Sequence, residues 1–194
     1  MTTAGLVLAA GAGRRFGMPK ALVRHRGRLL VEHAAAVLRD GGCDPVVVVL
    51  GAAAAQVRAA VGPDSPLARV HLVDNERWPE GMGTSLRTGL TVLADRPEVV
   101  AVLVLPVDMP GVTPEAVRRL VGRAGPDALA AAEYHGVRGH PVLLGREHWA
   151  GVAASAQGDR GAREYLRRHP VLQVPCEDVA AGFDVDRPED LLSF

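Results

Sequence analysis

The stretch LVLAAGAGRRFGMPK, residues 6–20, joins an apolar run to a glycine-rich loop that carries three cations. The glycines are Gly11, Gly13 and Gly17, and the cations are Arg14, Arg15 and Lys20. Glycines that follow a strand let backbone N–H groups approach phosphate oxygens, because no Cβ stands in the way. The loop is therefore predicted to bind a nucleotide, either a dinucleotide cofactor or a nucleoside triphosphate.

The spacing of this loop favours a triphosphate. A P-loop would need a Gly-Lys-Ser/Thr ending, which the chain lacks. The dinucleotide fingerprint GxGxxG would need its third glycine one place before Gly17. Three cations exceed what a pyrophosphate diester requires, whereas they suit a triphosphate whose leaving pyrophosphate gains negative charge. A cationic surface turn is the alternative without a function.

Lys20 is the only lysine among the 22 Lys and Arg residues of the chain. In a sequence that otherwise uses arginine for every long-chain cation, a single lysine at the end of a glycine loop indicates a chemical reason. Its ammonium is a compact point charge on a flexible stem, and it reaches phosphate oxygens in a way that a planar guanidinium does not. Chance survival of one lysine in an arginine-rich chain is the alternative.

Apolar runs of strand length alternate with amphipathic stretches of helix length, which predicts an α/β fold with a mostly parallel sheet. The strands predicted before residue 126 are residues 5–9, 45–50, 69–74 and the start of 99–110, which ends in a turn. The helices predicted there are residues 29–42, 52–63, 84–95 and 113–125, the last capped by Thr113. Beyond residue 126 we expect strands at 128–134, 140–145 and 171–174, a broken helical stretch at 145–169 and a short C-terminal helix. No repeat or linker interrupts the pattern, so we expect one domain over residues 1–194.

Asp108 follows the buried strand in the segment LPVDMPG. Ligands of an open parallel sheet lie beyond the carboxyl ends of its strands, and Mg²⁺ takes one or two carboxylates together with substrate phosphates. Asp108 is therefore a candidate Mg²⁺ ligand, with turn formation as the alternative. Asp184 and Asp186 are candidates for the second ligand. We expect these two carboxylates to point in opposite directions, so that at most one of them joins Asp108; a capping box of Asp186 with Glu189 is the alternative.

Three further segments bring polar groups to predicted loops. Residues 81–85 place Gly83, Thr84 and Ser85 at a helix start, where they could bind a base, a ribose or an anion, unless Thr84 is simply an N-cap. The segments 138–144 and 158–163 add further polar candidates in loops, of which the two arginines could clamp a second phosphate. Those candidates are His140, Asp159, Arg160 and Arg163.

The composition excludes several classes of protein. Lys plus Arg and Asp plus Glu both number 22, and this balance argues against a large nucleic-acid or membrane-binding surface. The two cysteines form no CxxC pair, and the seven histidines show no metal-ligand spacing. The apolar N-terminal stretch lacks the basic segment of a signal peptide. We therefore expect a reduced, cytoplasmic protein.

With these residues in view, the chain resembles the MobA-like nucleotidyltransferases, in particular the molybdenum cofactor cytidylyltransferases of the MocA-type branch. The family opening LAAGxGxRxGxPK is matched at every position by residues 8–20. The resemblance continues, in the family's order, through GMGTSLRTGL, PVDMPGVTP, RGHPVLL, GDRGAR and DVDRPEDL.

The resemblance implies a single Rossmann-like, three-layer α/β domain of the nucleotide-diphospho-sugar transferase kind. It implies transfer of the NMP part of an NTP, usually CTP in this branch, to the terminal phosphate of molybdopterin. It implies that Arg15 and Lys20 neutralise the triphosphate and that Asp108 holds Mg²⁺ with the segment of Asp184 and Asp186, of which Asp186 is the better match. The residues expected to contact the nucleotide or the acceptor are Leu8, Ala9, Ala10, Gly11, Gly13, Arg14, Lys20, Gly83, Ser85, His140, Asp159 and Arg163.

Two departures bear on specificity. The branch often has Asp-Gln-Pro where this chain has Asp108-Met109-Pro110, so a hydrogen-bond donor is missing there. The guanylyltransferase branch typically has LAGG, whereas Ala10 stands in this chain, which favours cytosine. GTP is the alternative nucleotide donor.

Other acceptors and roles are also open. A sugar phosphate or cobinamide phosphate is an alternative acceptor, and a non-catalytic carrier that delivers cofactor to a molybdoenzyme is an alternative role. The resemblance allows a molybdenum hydroxylase as a partner protein.

Overall fold

The computed structural model describes residues 1–193 of the protein. Nine strands are found in the described chain: β1 (Thr2–Ala9), β2 (Arg24–His25), β3 (Arg28–Leu29), β4 (Val46–Leu50), β5 (His71–Asp74), β6 (Val99–Pro106), β7 (Leu129–Tyr134), β8 (Val137–Gly145) and β9 (Leu172–Pro175). Its α-helices are α1 (Leu30–Asp40), α2 (Ala54–Ala60), α3 (Met82–Ala94), α4 (Pro114–Val121), α5 (Trp149–Ser155) and α6 (Arg163–Arg167). Short 3₁₀ turns cover Lys20–Leu22, Pro66–Arg69, Trp78–Glu80, Arg146–His148, Gly158–Arg160 and Pro188–Ser193.

Seven strands form one mostly parallel sheet in the order β5-β4-β1-β6-β8-β7-β9. β8 runs antiparallel to both of its neighbours, and the other pairs are parallel. The central strands are apolar and buried on both faces, as parallel strands covered by helices must be. The predicted α/β fold with a mostly parallel sheet is confirmed.

The helices cover the sheet in two layers. Side chains of α1, α2 and α4 pack on one face, in a cluster that includes Leu38, Val57 and Leu120. Side chains of α3, α5 and α6 pack on the other face, around residues such as Leu90 and Trp149. A burial coefficient of about 25 cal/mol per Å² of apolar area makes these two clusters the main source of stability. The result is a three-layer arrangement with the carboxyl ends of β1, β4, β5 and β6 at one edge.

The predicted elements agree with the structure in type and differ at their ends. The first strand begins earlier than predicted, at Thr2. The helix predicted at 113–125 ends at Val121; Thr113 caps it by accepting a hydrogen bond from the N–H of Ala116. The hairpin of β2 and β3 was not predicted, because its turn at Arg26 and Gly27 depends on positive φ angles of 48° and 83°. None of the described helices has both the length and the apolar character needed to span a membrane.

Candidate active site

The glycine-rich loop after β1 folds back on itself. Gly13 has a φ of +62°, and a Cβ at this position would lie 1.8 Å from the carbonyl oxygen of Met18. The N–H of Gly17 donates to the carbonyl oxygen of Gly13 at 2.9 Å and closes the loop. Gly11, in contrast, has no heavy atom within 4 Å of an added Cβ. Gly13 is therefore required by the loop conformation, whereas Gly11 leaves an open backbone face.

A first cavity, of about 290 Å³, lies between this loop and the start of α3. The loop contributes Ala10, Gly11 and Arg14 to its wall, and the opposite wall is formed by Trp78 and Ser85. Backbone and hydroxyl groups on these walls, together with one guanidinium, can bind a polar, anionic molecule.

A second cavity, of about 480 Å³, adjoins the first. Both are lined by Leu8, Met82 and Asp159. The second cavity is further lined by polar and charged residues, namely Asp108, Arg138, His140, Arg160, Arg163, Arg167 and Asp184. Two neighbouring cavities with different linings provide places for two reactants.

Lys20 connects the strand ends at this edge of the sheet. Its Nζ donates hydrogen bonds to Oδ2 of Asp108 at 2.7 Å and to Oδ1 of Asp186 at 2.8 Å. The Lys20 side chain is only 15% exposed, so these charge-assisted bonds are shielded from water in part. Arg15 lies at the rim, with its Nη1 3.8 Å from Oδ2 of Asp186 and its side chain 84% exposed.

The contacts of Lys20 shift the pKa values of the pair. Burial acts most strongly on Lys20 and lowers its pKa, but the hydrogen bonds and charges of Asp108 and Asp186 together outweigh burial and raise the pKa above its ordinary value of 10.5. The hydrogen bond and the charge of Lys20 in turn lower the pKa of Asp186. Lys20 is therefore a fixed cation at neutral pH, and it is not a source of protons.

Asp108, Asp184 and Asp186 each offer a carboxylate oxygen, and these oxygens all lie within 4.8 Å of one another. Three carboxylates and the ammonium of Lys20 carry a formal charge of −2. An all-oxygen donor set with this excess of negative charge fits Mg²⁺ or Mn²⁺. The residues present therefore match a divalent cation of that class.

The expectation that Asp184 and Asp186 point in opposite directions is wrong. Side chains two residues apart lie on the same side of an extended segment, and the carboxylates of Asp184 and Asp186 both reach the oxygens of Asp108. Val185, between the two aspartates, is fully buried on the other side, and its N–H donates to the carbonyl oxygen of Asp108 at 2.8 Å. The alternation rule applied to this segment would have predicted both carboxylates at the site.

The capping box of Asp186 with Glu189 is not observed. Instead, Oδ2 of Asp190 accepts hydrogen bonds from the backbone N–H groups of Asp186 and Arg187, at 2.9 and 2.8 Å. The side chain of Asp186 is therefore available to Lys20.

The start of α3 is held by Asn75, which is 5% exposed. Its amide Nδ2 donates to the hydroxyl oxygens of Thr84 and Ser85, at 2.8 and 3.0 Å. Its Oδ1 accepts from the N–H of Arg77. Because α3 begins at Met82 with Gly81 as its N-cap, Thr84 is not the N-cap. Its single O–H lies within hydrogen-bond distance of two acceptors, the carbonyl oxygens of Gly81 at 2.9 Å and Arg77 at 3.0 Å.

Several residues singled out in the sequence line neither cavity, namely Ala9, Gly13, Arg15, Lys20, Gly83 and Asp186. Ala9 is buried on the opposite face of β1 from its neighbour Leu8, because side chains alternate along a strand. Gly83 lies against the backbone of Ala156 and Gln157, where a Cβ would come within 2.8 Å of a backbone atom. Gly83 therefore allows the chain after α5 to approach α3.

Three other residues lie where a ligand or substrate would contact them. Asp159 accepts a hydrogen bond from the N–H of Met82, at 3.4 Å, between the two cavities. His140 lies in β8. Burial lowers the pKa of its imidazole, although the negative charges of Asp108 and Asp184 act in the opposite direction. Met109 is buried and contributes an apolar surface to the second cavity.

Sequence reasoning missed Trp78, Asn75 and Met82. An aromatic residue and a lone asparagine before a glycine-rich helix start are weak signals by themselves. Their roles depend on contacts with the end of β4 and with the chain after α5.

The family model of the MobA-like NTP transferase domain matches residues 5–174. The chain belongs to this family. The resemblance noted in the sequence is thus confirmed, and the chain matches a family of transferases that use nucleoside triphosphates.

Two curated relatives match nearly the whole chain. A protein named nicotine blue oxidoreductase, from Paenarthrobacter nicotinovorans, is 38% identical over 96% of this chain and 93% of its own. A molybdenum cofactor guanylyltransferase from Rhizobium johnstonii is 29% identical over 97% of this chain and 90% of its own.

A solved structure shows the same fold. The crystal structure of Rv0371c from Mycobacterium tuberculosis H37Rv has a TM-score of 0.82 at 29% identity, and it covers 100% of this chain and 97% of that one. A crystal structure of Rv0371c in complex with manganese has a TM-score of 0.80, with the same coverage.

Proposed function

We propose that the protein is a Mg²⁺-dependent nucleotidyltransferase that transfers NMP from an NTP, preferentially CTP, to the phosphate of molybdopterin or a closely related cofactor. The observation that carries the proposal is the position of Lys20, which is bonded to Asp186 and to Asp108, a residue that lines the second cavity. A name that includes molybdenum cofactor, borne by a relative 29% identical over 97% of this chain, supports the acceptor.

The first cavity is proposed to take the nucleoside triphosphate. Gly11 and Ser85 line it, and Arg14 adds a positive charge. Ala10 contributes a methyl group at the position where glycine is typical of guanylyltransferases, and this supports CTP over GTP.

The second cavity is proposed to take the phosphorylated acceptor. Arg163 lies there with His140, and among residues 1–193 its guanidinium has no carboxylate partner. An unpaired guanidinium in a cavity is suited to hold a phosphate or another anionic group.

Asp108, Asp184 and Asp186 would hold the divalent cation. When bound, Mg²⁺ supplies positive charge to phosphate oxygens and to the departing pyrophosphate. Lys20 adds a fixed positive charge to the same place, and Arg15 at the rim adds a second one.

In the reaction, an oxygen of the acceptor phosphate attacks the α-phosphorus of the NTP. A new phosphorus–oxygen bond forms while the bond to the β-phosphate oxygen breaks, and pyrophosphate leaves with the bonding electrons. The nucleophile is already an anion, so neither a covalent enzyme intermediate nor a general base is needed. The chain contributes positioning of both reactants and neutralisation of the growing negative charge.

The test is pyrophosphate release from each of the four NTPs, with molybdopterin as acceptor and Mg²⁺ or Mn²⁺ present. We expect release with CTP to be fastest and to depend on the acceptor. Release with a sugar phosphate or cobinamide phosphate in place of molybdopterin would reassign the acceptor. Inertness toward every NTP would overturn the transferase and favour a carrier of the finished cofactor.

The proposal extends to the cellular location of the protein and to its partner protein. Cys43 and Cys176 are both free thiols and buried, as suits a protein of the reducing cytoplasm. A molybdenum hydroxylase that receives the product is the proposed partner protein, and co-purification of product-loaded protein with such an enzyme tests it.

Oxidoreduction is a second candidate, because the relative at 38% identity is named an oxidoreductase. The glycine loop departs from a dinucleotide fingerprint by one place only, so a dinucleotide cofactor in the first cavity is the form this candidate takes. Oxidation of NADH or NADPH with a quinonoid dye would support it. Absence of that activity in a preparation that releases pyrophosphate would exclude it.

A further inference from the structure

The two tryptophans of the chain have contrasting surroundings. Trp149 is 6% exposed, its indole N–H donates to the carbonyl oxygen of Leu144 at 2.9 Å, and the guanidinium of Arg146 lies over its ring. Trp78 is half-buried and lines the first cavity. Within residues 1–193, neither a hydrogen bond nor a ring contact engages the Trp78 indole. One tryptophan is thus a packed core residue, and the other has a ring free for a ligand.

The base of the Trp78 side chain is held in place. A Cβ added to Gly51 would lie 2.7 Å from both Cβ and Cγ of Trp78, so the backbone of residue 51 packs directly against this part of the side chain. The backbone of Trp78 is also fixed, because its N–H donates to the carbonyl oxygen of Asn75 and its carbonyl oxygen accepts from the N–H of Gly81. The indole is therefore presented to the cavity by a supported backbone.

We propose that Trp78 is the platform on which the nucleobase of the nucleoside triphosphate stacks in the first cavity. The inference rests on the proposed function, and it assigns recognition of the planar nucleobase to a residue outside the glycine loop. It makes Trp78 a binding residue that separates nucleotide recognition into a charged part and an aromatic part.

The distribution of charge supports this division. The cations Arg14, Arg15 and Lys20 lie on the glycine loop and just after it, and they attract the triphosphate. Trp78 lies on the 3₁₀ turn before α3, at the other wall. Base–aromatic stacking needs only the π-face of a base, so it adds affinity without choosing strongly between bases. Choice between CTP and GTP is then left to the residues at the edges of the base.

The experiment compares wild type with Trp78→Phe and Trp78→Leu, in buffer with Mg²⁺. Leucine keeps the Cβ and Cγ that pack on Gly51 and removes the ring, and phenylalanine keeps a ring. Each protein is titrated with CTP and with inorganic tripolyphosphate by calorimetry, and tryptophan fluorescence is followed in parallel. Trp149 is present in all three proteins as an internal reference that does not contact the cavity. Circular dichroism verifies that the variants are folded.

We expect CTP, but not tripolyphosphate, to quench the wild-type fluorescence. Trp78→Leu is expected to weaken the binding of CTP about tenfold or more, on the scale of one stacking contact, and to leave the affinity for tripolyphosphate unchanged. Trp78→Phe should stay within about threefold of wild type, because a ring remains for stacking.

An equal loss of affinity for CTP and for tripolyphosphate in Trp78→Leu would overturn the assignment of Trp78 as the platform, since Trp78 would then be merely structural. Unchanged CTP affinity in Trp78→Leu would overturn it as well. In both cases a normal rate of pyrophosphate release by the wild type would leave the proposed function intact. Failure of the wild type to bind any NTP would instead overturn the proposed function together with the platform.

Discussion

The Nζ atom of Lys20 lies 2.7 Å from Oδ2 of Asp108, although 88 residues separate the two in sequence. Lys20 follows the loop after β1, and Asp108 follows β6, its neighbour in the sheet. Asp186, from the C-terminal segment, shares the same ammonium. Strand order thus brings the only lysine of the chain to the carboxylates that can hold a metal ion.

Removal of this ammonium should affect the reaction far more than the fold. We expect Lys20→Met to lower kcat/KM for pyrophosphate release by about 10²–10³-fold, the scale of losing one preorganised charge contact to the transition state. Lys20→Arg should also be strongly impaired, because a planar guanidinium does not replace the compact ammonium between two carboxylates. Thermal unfolding of each variant serves as the control. A Lys20→Met variant with activity near wild type would show that the loop does not serve the triphosphate.

The ion pair of Lys20 and Asp186 should contribute to stability in a defined pH window. The pKa of Asp186 is below its ordinary value of 3.8, so its contribution is present above that value and is lost as the pH falls through the folded-state pKa. The pKa of Lys20 is above 10.5, so its contribution is present below that value and is lost as the pH rises through the folded-state pKa. The window therefore extends from about pH 4 to about pH 10.5.

Urea unfolding of wild type and Asp186→Asn, in buffer with a chelator, measures this contribution. We expect a difference in unfolding free energy that is constant from pH 5 to 9 and shrinks below pH 4. Because the Asp186 side chain is 46% exposed, solvent screening should keep the difference below about 1 kcal/mol. A difference that grows on acidification would contradict the assignment.

Gly13 and Gly11 should respond differently to alanine. Gly13→Ala places a Cβ on the carbonyl of Met18 at a positive φ, so we expect loss of the loop conformation and of NTP binding. Gly11→Ala meets no atom within 4 Å, so the fold and its melting temperature should be unchanged, and only a ligand in the first cavity should meet the new methyl group. Melting temperature and NTP affinity together measure both effects. Equal behaviour of the two variants would contradict the loop geometry.

Divalent metal affinity should depend on Asp108. We expect Asp108→Asn to weaken Mn²⁺ binding at least about tenfold, because one charged ligand is lost from the three-carboxylate cluster. Asp95→Asn is the matched control, because Asp95 is exposed at the other end of α3. The affinity of this variant for Mn²⁺ should equal that of wild type. Calorimetry with Mn²⁺ alone decides the point. Unchanged affinity in Asp108→Asn would place the metal elsewhere.

Arg163 should matter for the acceptor and not for the nucleotide. We expect Arg163→Ala to raise KM for the acceptor about tenfold, the scale of one charge-assisted contact, with KM for the NTP unchanged. Arg168→Ala is the control, because the guanidinium of Arg168 is paired with Glu164 and 71% exposed. Initial rates at varied acceptor with fixed NTP, and at varied NTP with fixed acceptor, give the two constants. Equal effects on the two KM values would contradict the division into two cavities.

Much of the fold could be predicted from local pattern. Val46–Leu50 is apolar at every position and is a fully buried strand, because only the core can accept such a run. Thr113 followed by Pro114 marks a helix start that the structure confirms. Helix ends were less predictable: the helix from Pro114 ends at Val121, before Gly122, although Gly125 was also a suitable stop. The competition between such stops is decided by packing and not by local preference.

The sequence by itself determined the types of group at the candidate site: a glycine loop, one lysine among arginines and aspartates after buried strands. Local chemistry suffices for this, because strand periodicity and turn residues act over a few positions. Only the tertiary structure decided which groups meet. Asp184 and Asp186 flank the fully buried Val185, and their carboxylates meet that of Asp108. The contact with Gly51 supports Trp78 at the cavity. These contacts join residues distant in sequence, and their geometry follows from packing of the whole core.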